Sequence, residues 1–323
     1  MLTRRLLGLL GVIFLALVLV PIAEPQQQGP REKIRITYGS NSLGFLIMFL
    51  AHDLGFYARN ALEAELVMVG PSAGMAALLG GDADYVELLT GTIRLAAKGA
   101  PVRAVSATLP VLFLSMAAQP QYKDIREMNG KIIGVSNIGG LHHLSTKRLL
   151  QHFGIDPDRQ AKIIGIGDQK LVYTALKIGR VDAVMVDPPF SVMLKREGFP
   201  ILARVGDVFP LPAGGIGTTL RKINENRSQV KKVVRAELAA LGSLRSNPQE
   251  VKKVIQKRFG LDAQMAEDTY NFLLGFFSLD GRIPREGVKA LLDMEKESGA
   301  IPQSVTIDQV VDFSLVEEVV NER

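Results

Sequence analysis

From residue 34 onward the chain alternates short β-branched runs with stretches whose apolar residues recur at i, i+3 and i+4, and this alternation restricts it to α/β architectures. Residues 34–38, 64–69, 85–89 and 102–109 read as strands. Residues 43–60, 70–79 and 93–98 read as the helices between them, with Gly80-Gly81 and Gly99 as stops and 90–92 as a turn. A βαβαβ order implies a mostly parallel sheet with right-handed crossovers. The alternation restarts after Pro120, with strands expected at 131–135, 161–166, 181–186 and 201–205 and helices at 141–153, 170–178 and 190–197. Past Pro212 one short strand at 216–220 precedes helix after helix. The stretch 222–246 carries an apolar face of Val230, Val233, Val234, Leu238 and Leu241, and Pro248, Pro284 and Pro302 stand where new helices would begin. The expected fold is therefore α/β with two lobes. Residues 31–117 plus 212–323 form lobe 1, 118–211 form lobe 2, and the helical C-terminal segment packs back on lobe 1. Crossings near 114–122 and 205–215 would serve as a hinge, and one continuous α/β domain is the alternative.

Composition excludes several classes of function. With 47% apolar residues in 323, the chain can fill a core and is not largely disordered. It has no cysteine, so disulfides, thiolate metal sites, iron–sulfur clusters and cysteine nucleophiles are excluded, as is a lipid-modified N-terminal cysteine. The net charge of +5 is scattered rather than gathered into the basic stripe that nucleic-acid binding requires. Residues 1–30 read as a signal peptide and linker. Arg4 and Arg5 precede an unbroken apolar or glycine run over 6–20, and a polar segment follows Ala23. An uncleaved anchor is the alternative.

In open α/β sheets, ligands gather beyond the carboxyl ends of the strands, where helices begin. Those ends here are Gly39-Ser40-Asn41, Gly70-Pro71-Ser72-Ala73, Thr90-Gly91-Thr92, Asn137-Ile138-Gly139-Gly140, Gly167-Asp168-Gln169 and Asp187. They are small, hydroxylated or amide-bearing and mostly uncharged, which suits a polar or anionic group facing backbone N–H groups. Taken singly, Ser72 reads as an N-cap and Gly139-Gly140 as a tight turn; only their common location favours a site. Catalytic signatures are thin, with no nucleophile elbow, Walker A loop or His-Glu-x-x-His motif. His142, His143 and His152 point to different faces of one helix, so a solvated or capping role is expected rather than a metal site. Asp168 and Asp187 could act as acids or bases, but no matching second group is evident.

The order of several short motifs resembles ABC-transporter solute-binding proteins of the nitrate, sulfonate, taurine and thiamine-pyrimidine-precursor type. Gly70-Pro71-Ser72-Ala73-Gly74-Met75 followed by Gly81-Asp82-Ala83-Asp84 is similar to their first-lobe signature. So are Ala97-Lys98-Gly99-Ala100-Pro101-Val102, Gly154-Ile155-Asp156-Pro157, and Gly179-Arg180-Val181-Asp182-Ala183 with Asp187-Pro188-Pro189 behind it. The likeness covers about residues 34–320. It implies the two-lobed, hinged type II periplasmic-binding-protein fold, closing on a small-molecule solute and delivering it to the membrane subunits of an ABC permease. It further implies an exported, periplasmic, monomeric protein that is not an enzyme and carries no cofactor. By position, the ligand contacts would be Ser40, Asn41, Ser72, Ala73, Thr90, Asn137, Gly139, Gly140 and Asp187. The family often has Gly-Ser where this chain has Gly139-Gly140, and Phe45 stands in for the aromatic commonly found after the first strand. A fungal relative of the fold is a pyrimidine synthase that needs several cysteines, and this chain has none to carry that activity. The alternatives are a membrane-tethered ligand-sensing module and an enzyme using the same cleft.

Overall fold

The computed structural model describes residues 30–322 except residue 210, so the expected leader over residues 1–29 lies outside the described residues. The first α/β unit runs β1 (Glu32–Tyr38), α1 (Leu46–Asp53), α2 (Phe56–Arg59), β2 (Leu62–Met68), α3 (Pro71–Gly80), β3 (Tyr85–Glu87), α4 (Leu89–Ala97) and β4 (Val102–Ala104). The second runs β5 (Ser115–Ala118), β6 (Ile132–Val135), α5 (Leu141–His152), β7 (Lys162–Gly165), α6 (Gln169–Lys177), β8 (Ala183–Val186), α7 (Phe190–Arg196) and β9 (Ile201–Arg204). After α8 (Val205–Val208) the chain returns through β10 (Ile216–Thr219). The tail follows: α9 (Leu220–Glu225), α10 (Arg227–Ser246), α11 (Pro248–Phe259), α12 (Ala263–Leu273), α13 (Arg285–Glu297) and α14 (Ser314–Asn321).

The strands form two five-stranded sheets, ordered β2-β1-β3-β10-β4 and β7-β6-β8-β5-β9. Each sheet has one reversed strand. β10 lies antiparallel between β3 and β4, and β5 lies antiparallel between β8 and β9, while the other pairings are parallel. In both cases the reversed strand is the one that has just arrived from the other unit. Helices cover both faces of each sheet. One core joins β1 and α1 to α10, α11, α12 and α14, and a second joins α4 to α13 across the opposite face. The apolar face read from 222–246 is buried there, with Val230, Val233 and Val234 fully enclosed. Two further cores sandwich the second sheet. Among the described residues no helix is long and apolar enough to cross a membrane.

Several elements depart from the sequence expectation. The helix expected over 43–60 breaks at Gly55, whose φ of 75° is left-handed, and opens with a short 3-10 turn at Leu43–Phe45. The turn expected at 90–92 is instead the first part of α4. The helix expected over 222–246 divides at Asn226, whose side chain accepts from the Gln229 N–H and starts a new helix. The strand expected over 102–109 pairs in the sheet only through Ala104, and β5 belongs to the second sheet, so the first crossing lies upstream of 114–122.

The residues lost from that strand do something else. Val105 N–H donates to Ile216 O at 2.9 Å, Thr108 N–H to Gly214 O at 3.0 Å, and Ala213 N–H to Leu109 O at 2.9 Å. The outgoing chain at 105–109 and the returning chain at 213–216 are thus bonded side by side as an antiparallel strap between the sheets. Gly215 makes the approach feasible: its φ is 145°, and a Cβ there would stand 2.2 Å from Ser106 O.

Candidate functional site

A cavity of about 360 Å³ opens where the strap meets the ends of the two sheets. From the first sheet come Ser40, Ser42 and Phe45, on the loop after β1, and Glu87, Thr90 and Arg94, at the β3–α4 junction. The strap and the segments adjoining it supply Leu109, Leu112 and Phe113 on the outgoing side and Leu211, Ala213 and Gly214 on the return. The second sheet contributes Leu141 and His142 from the first turn of α5 and Asp187 from the end of β8. The walls are mainly apolar, and the polar groups are few and specific.

Local structure fixes each of these groups. The Ser42 side chain accepts from the Gly44 N–H at 3.2 Å and starts the 3-10 turn that presents Phe45, whose ring meets Tyr38 edge-on at 5.7 Å. The Thr90 hydroxyl donates to the Pro212 carbonyl, tying α4 to the returning chain. The Thr108 hydroxyl donates to Glu87 Oε1 at 3.1 Å, and the Glu87 carboxyl also meets the Gly215 N–H and the carboxyl of Glu237. Behind Glu87 lies Glu237, itself bonded by the Tyr57 hydroxyl at 3.1 Å. Burial raises both carboxyls, and their mutual repulsion raises Glu237 furthest, so the pair holds a proton. The Arg94 Nε donates to Glu295 at 2.8 Å, which matches its charge.

Asp187 and His142 face each other from the second lobe without a direct hydrogen bond between them. The Asp187 backbone N–H donates to Gln169 Oε1 at 3.3 Å, and Gln169 Nε2 donates to Ser136 at 2.6 Å, which orients the loop. The Asp187 carboxyl meets its own backbone N–H and, without a hydrogen bond, approaches His142, whose Nε2 lies 4.0 Å from Oδ1. That nitrogen is buried and unpartnered. Burial lifts Asp187 to about 6 and lowers His142 to about 4, so the imidazole is neutral at neutral pH and the two do not form an ion pair.

Of the residues expected to meet a ligand, Ser40, Thr90 and Asp187 line this cavity. The other six do not. Asn41 turns away to donate to Arg258 O at 3.2 Å. Ser72 and Ala73 lie exposed in the first turn of α3, and the N-cap is Gly70 rather than Ser72. Asn137, Gly139 and Gly140 build the turn before α5: Asn137 O accepts from Gly140 N–H at 3.3 Å, and Gly139 N–H donates to His143 Nδ1 at 3.1 Å. Asp168 caps α6, accepting from the Leu171 N–H at 3.0 Å. His142 reverses its expectation, facing the cavity while only His143 plays the capping part. Arg94, inside α4, and the apolar strap lie away from the strand tips, and 102–109 has the apolar pattern of a sheet strand, so neither carries a local mark of a site. Among the described residues no cluster of three or more His, Asp or Glu could hold a metal.

A family model described as NMT1/THI5 like matches residues 43–251. No curated protein sequence matches the chain. Among solved structures, the periplasmic aliphatic sulphonate binding protein SsuA from Escherichia coli is similar at 19% identity, with 88% of this chain and 99% of that one covered and a TM-score of 0.67. The periplasmic nitrate-binding protein NrtA from Synechocystis PCC 6803 aligns at 15% identity over 90% and 89% of the two chains, with a TM-score of 0.68. The desulfurization enzyme DSZB aligns at 13% identity over 90% and 99%, also with a TM-score of 0.68. At these identities the likeness establishes the fold, and that fold accommodates both binders and an enzyme.

Proposed function

Because the chain belongs to the NMT1/THI5-like family, we propose that it is a solute-binding protein whose two lobes close on one small polar molecule and deliver it to an ABC permease. The observation that carries this reading is the cavity itself, walled by both sheets and by both chains of the strap. A ligand there touches both lobes only when they are shut, so it draws the population toward the shut form. Each buried CH₂ of a solute contributes about 0.8 kcal/mol and each hydrogen bond about 1 kcal/mol, so a compact apolar body with a few polar contacts comes toward the micromolar range. We place the protein outside the cytoplasm as a monomer, on the strength of the apolar N-terminal run and the periplasmic character of the fold neighbours. Among the described lining residues the single cation, Arg94, is matched by Glu295, which gives an anionic solute little to hold.

A second reading, an enzyme in the same cleft, draws on Asp187 and His142 at 4.0 Å with DSZB as a fold neighbour. Isothermal titration separates the two. A saturable heat at one solute per chain, with the solute recovered unchanged, supports a binder; heat that continues in proportion to turnover, with product appearing, overturns it.

A further inference from the structure

Resting on the cleft-binding reading, we propose that the solute is a cation, a protonated amine or amidine on a compact apolar body, with its charged end against the Asp187 carboxylate. Two observations converge. The cavity is walled mostly by Phe45, Leu109, Leu112, Phe113 and Leu211, so the body of the guest must be apolar. The Asp187 carboxyl on the second lobe receives no donor but its own backbone N–H, and the buried Nε2 of His142 beside it has no partner. A buried acceptor without a donor is costly, and an N–H-rich guest removes that cost, whereas an anion compounds it.

The remaining charged and titratable neighbours agree. Arg94 from α4 is engaged by Glu295, and His142 from α5 is neutral and offers an unpartnered ring nitrogen to a guest N–H. Gln169 from α6 is spent on Ser136 and the Asp187 backbone, and Glu237 stands behind Glu87 with the shared proton. An ammonium therefore meets one ionised carboxylate and a proton-sharing pair, with a neutral imidazole beside them. The same arrangement fixes a pH signature. Asp187 takes up a proton below about 6 while His142 stays neutral down to about 4, so a cation loses its anchor as the solution is acidified.

The test uses three probes of one shape, benzylammonium, benzyl alcohol and phenylmethanesulfonate, titrated into the full chain. Benzylammonium is expected to bind tightest and to weaken about tenfold between about pH 7.5 and 5, while benzyl alcohol holds its affinity. Asp187→Asn is expected to weaken benzylammonium about tenfold or more and to leave benzyl alcohol within about twofold. The pH series on the unmodified chain tests the same charge should the variant not fold. Tighter binding of the sulfonate or the alcohol, or an ammonium affinity that does not fall on acidification, overturns the cation inference and leaves the cleft-binding reading standing. No binding of any probe up to about 10 mM overturns both.

Discussion

Burial acts on Asp187 and His142 in opposite directions, lifting the carboxyl from 3.8 to about 6 and lowering the imidazole from 6.5 to about 4. Between those limits the folded chain keeps a proton on Asp187 that the unfolded chain releases, so this group makes stability fall as pH rises. His142 does the reverse: the unfolded chain binds a proton that the fold refuses, so stability rises with pH. Each contribution is about 3 kcal/mol in size, and in the unmodified protein they nearly cancel. Asp187→Asn removes one of them. Its urea-derived stability is expected to climb by about 3 kcal/mol from about pH 4 to 6.5, whereas His142→Gln should fall over the same window. Two variants with parallel slopes would contradict the burial of one or the other. Steric limits operate at the same scale. A Cβ on Gly217 would lie 2.1 Å from Thr92 Oγ1, so Gly217→Ala is expected to lower stability by about 1–3 kcal/mol, read as a shift in the urea midpoint.

At the scale of elements, Asp168 serves helix α6 as its N-cap. Its carboxylate accepts from the Leu171 N–H and completes the N-terminus of the helix. Asp168→Ala is expected to cost about 1 kcal/mol of stability while leaving solute affinity unchanged; a tenfold loss of affinity would return Asp168 to the cleft. Most elements were legible because apolar spacing and glycine stops are local signals. Those that were not, such as the break at Asn226, turn on one polar side chain preferring a backbone N–H to solvent, with no Pro or Gly to mark it. Candidate contacts were legible only where a strand tip and the cavity coincide, at Ser40, Thr90 and Asp187. The strap residues Leu112 and Phe113 were illegible for a different reason. Their surroundings come from a chain segment about a hundred residues away, and no short window contains it.

Across the whole molecule, contacts outside the cavity also hold the two sheets together. Arg196 on α7 meets Asp268 on α12 at 3.0 Å, and the Arg204 guanidinium lies over the Phe272 ring at 5.8 Å. A half-exposed ion pair is worth about 0–1 kcal/mol, so Arg196→Ala is expected to weaken solute binding by no more than about fivefold. It should enlarge the radius of gyration of the solute-free protein in small-angle X-ray scattering and leave the saturated protein unchanged. An unchanged solute-free radius would mean that the pair plays no part in closure. The two-unit layout was visible in the sequence because the alternation restarts; the bonding between the two crossings was not, since it joins segments with no local mark. That bonding has a mechanical consequence. Two ribbons stitched edge to edge resist shear and torsion but yield to flexion across their plane, so the halves swing as if about a single axle. On the proposed reading, a permease that touches both halves need gauge only one angle to tell a loaded carrier from an empty one.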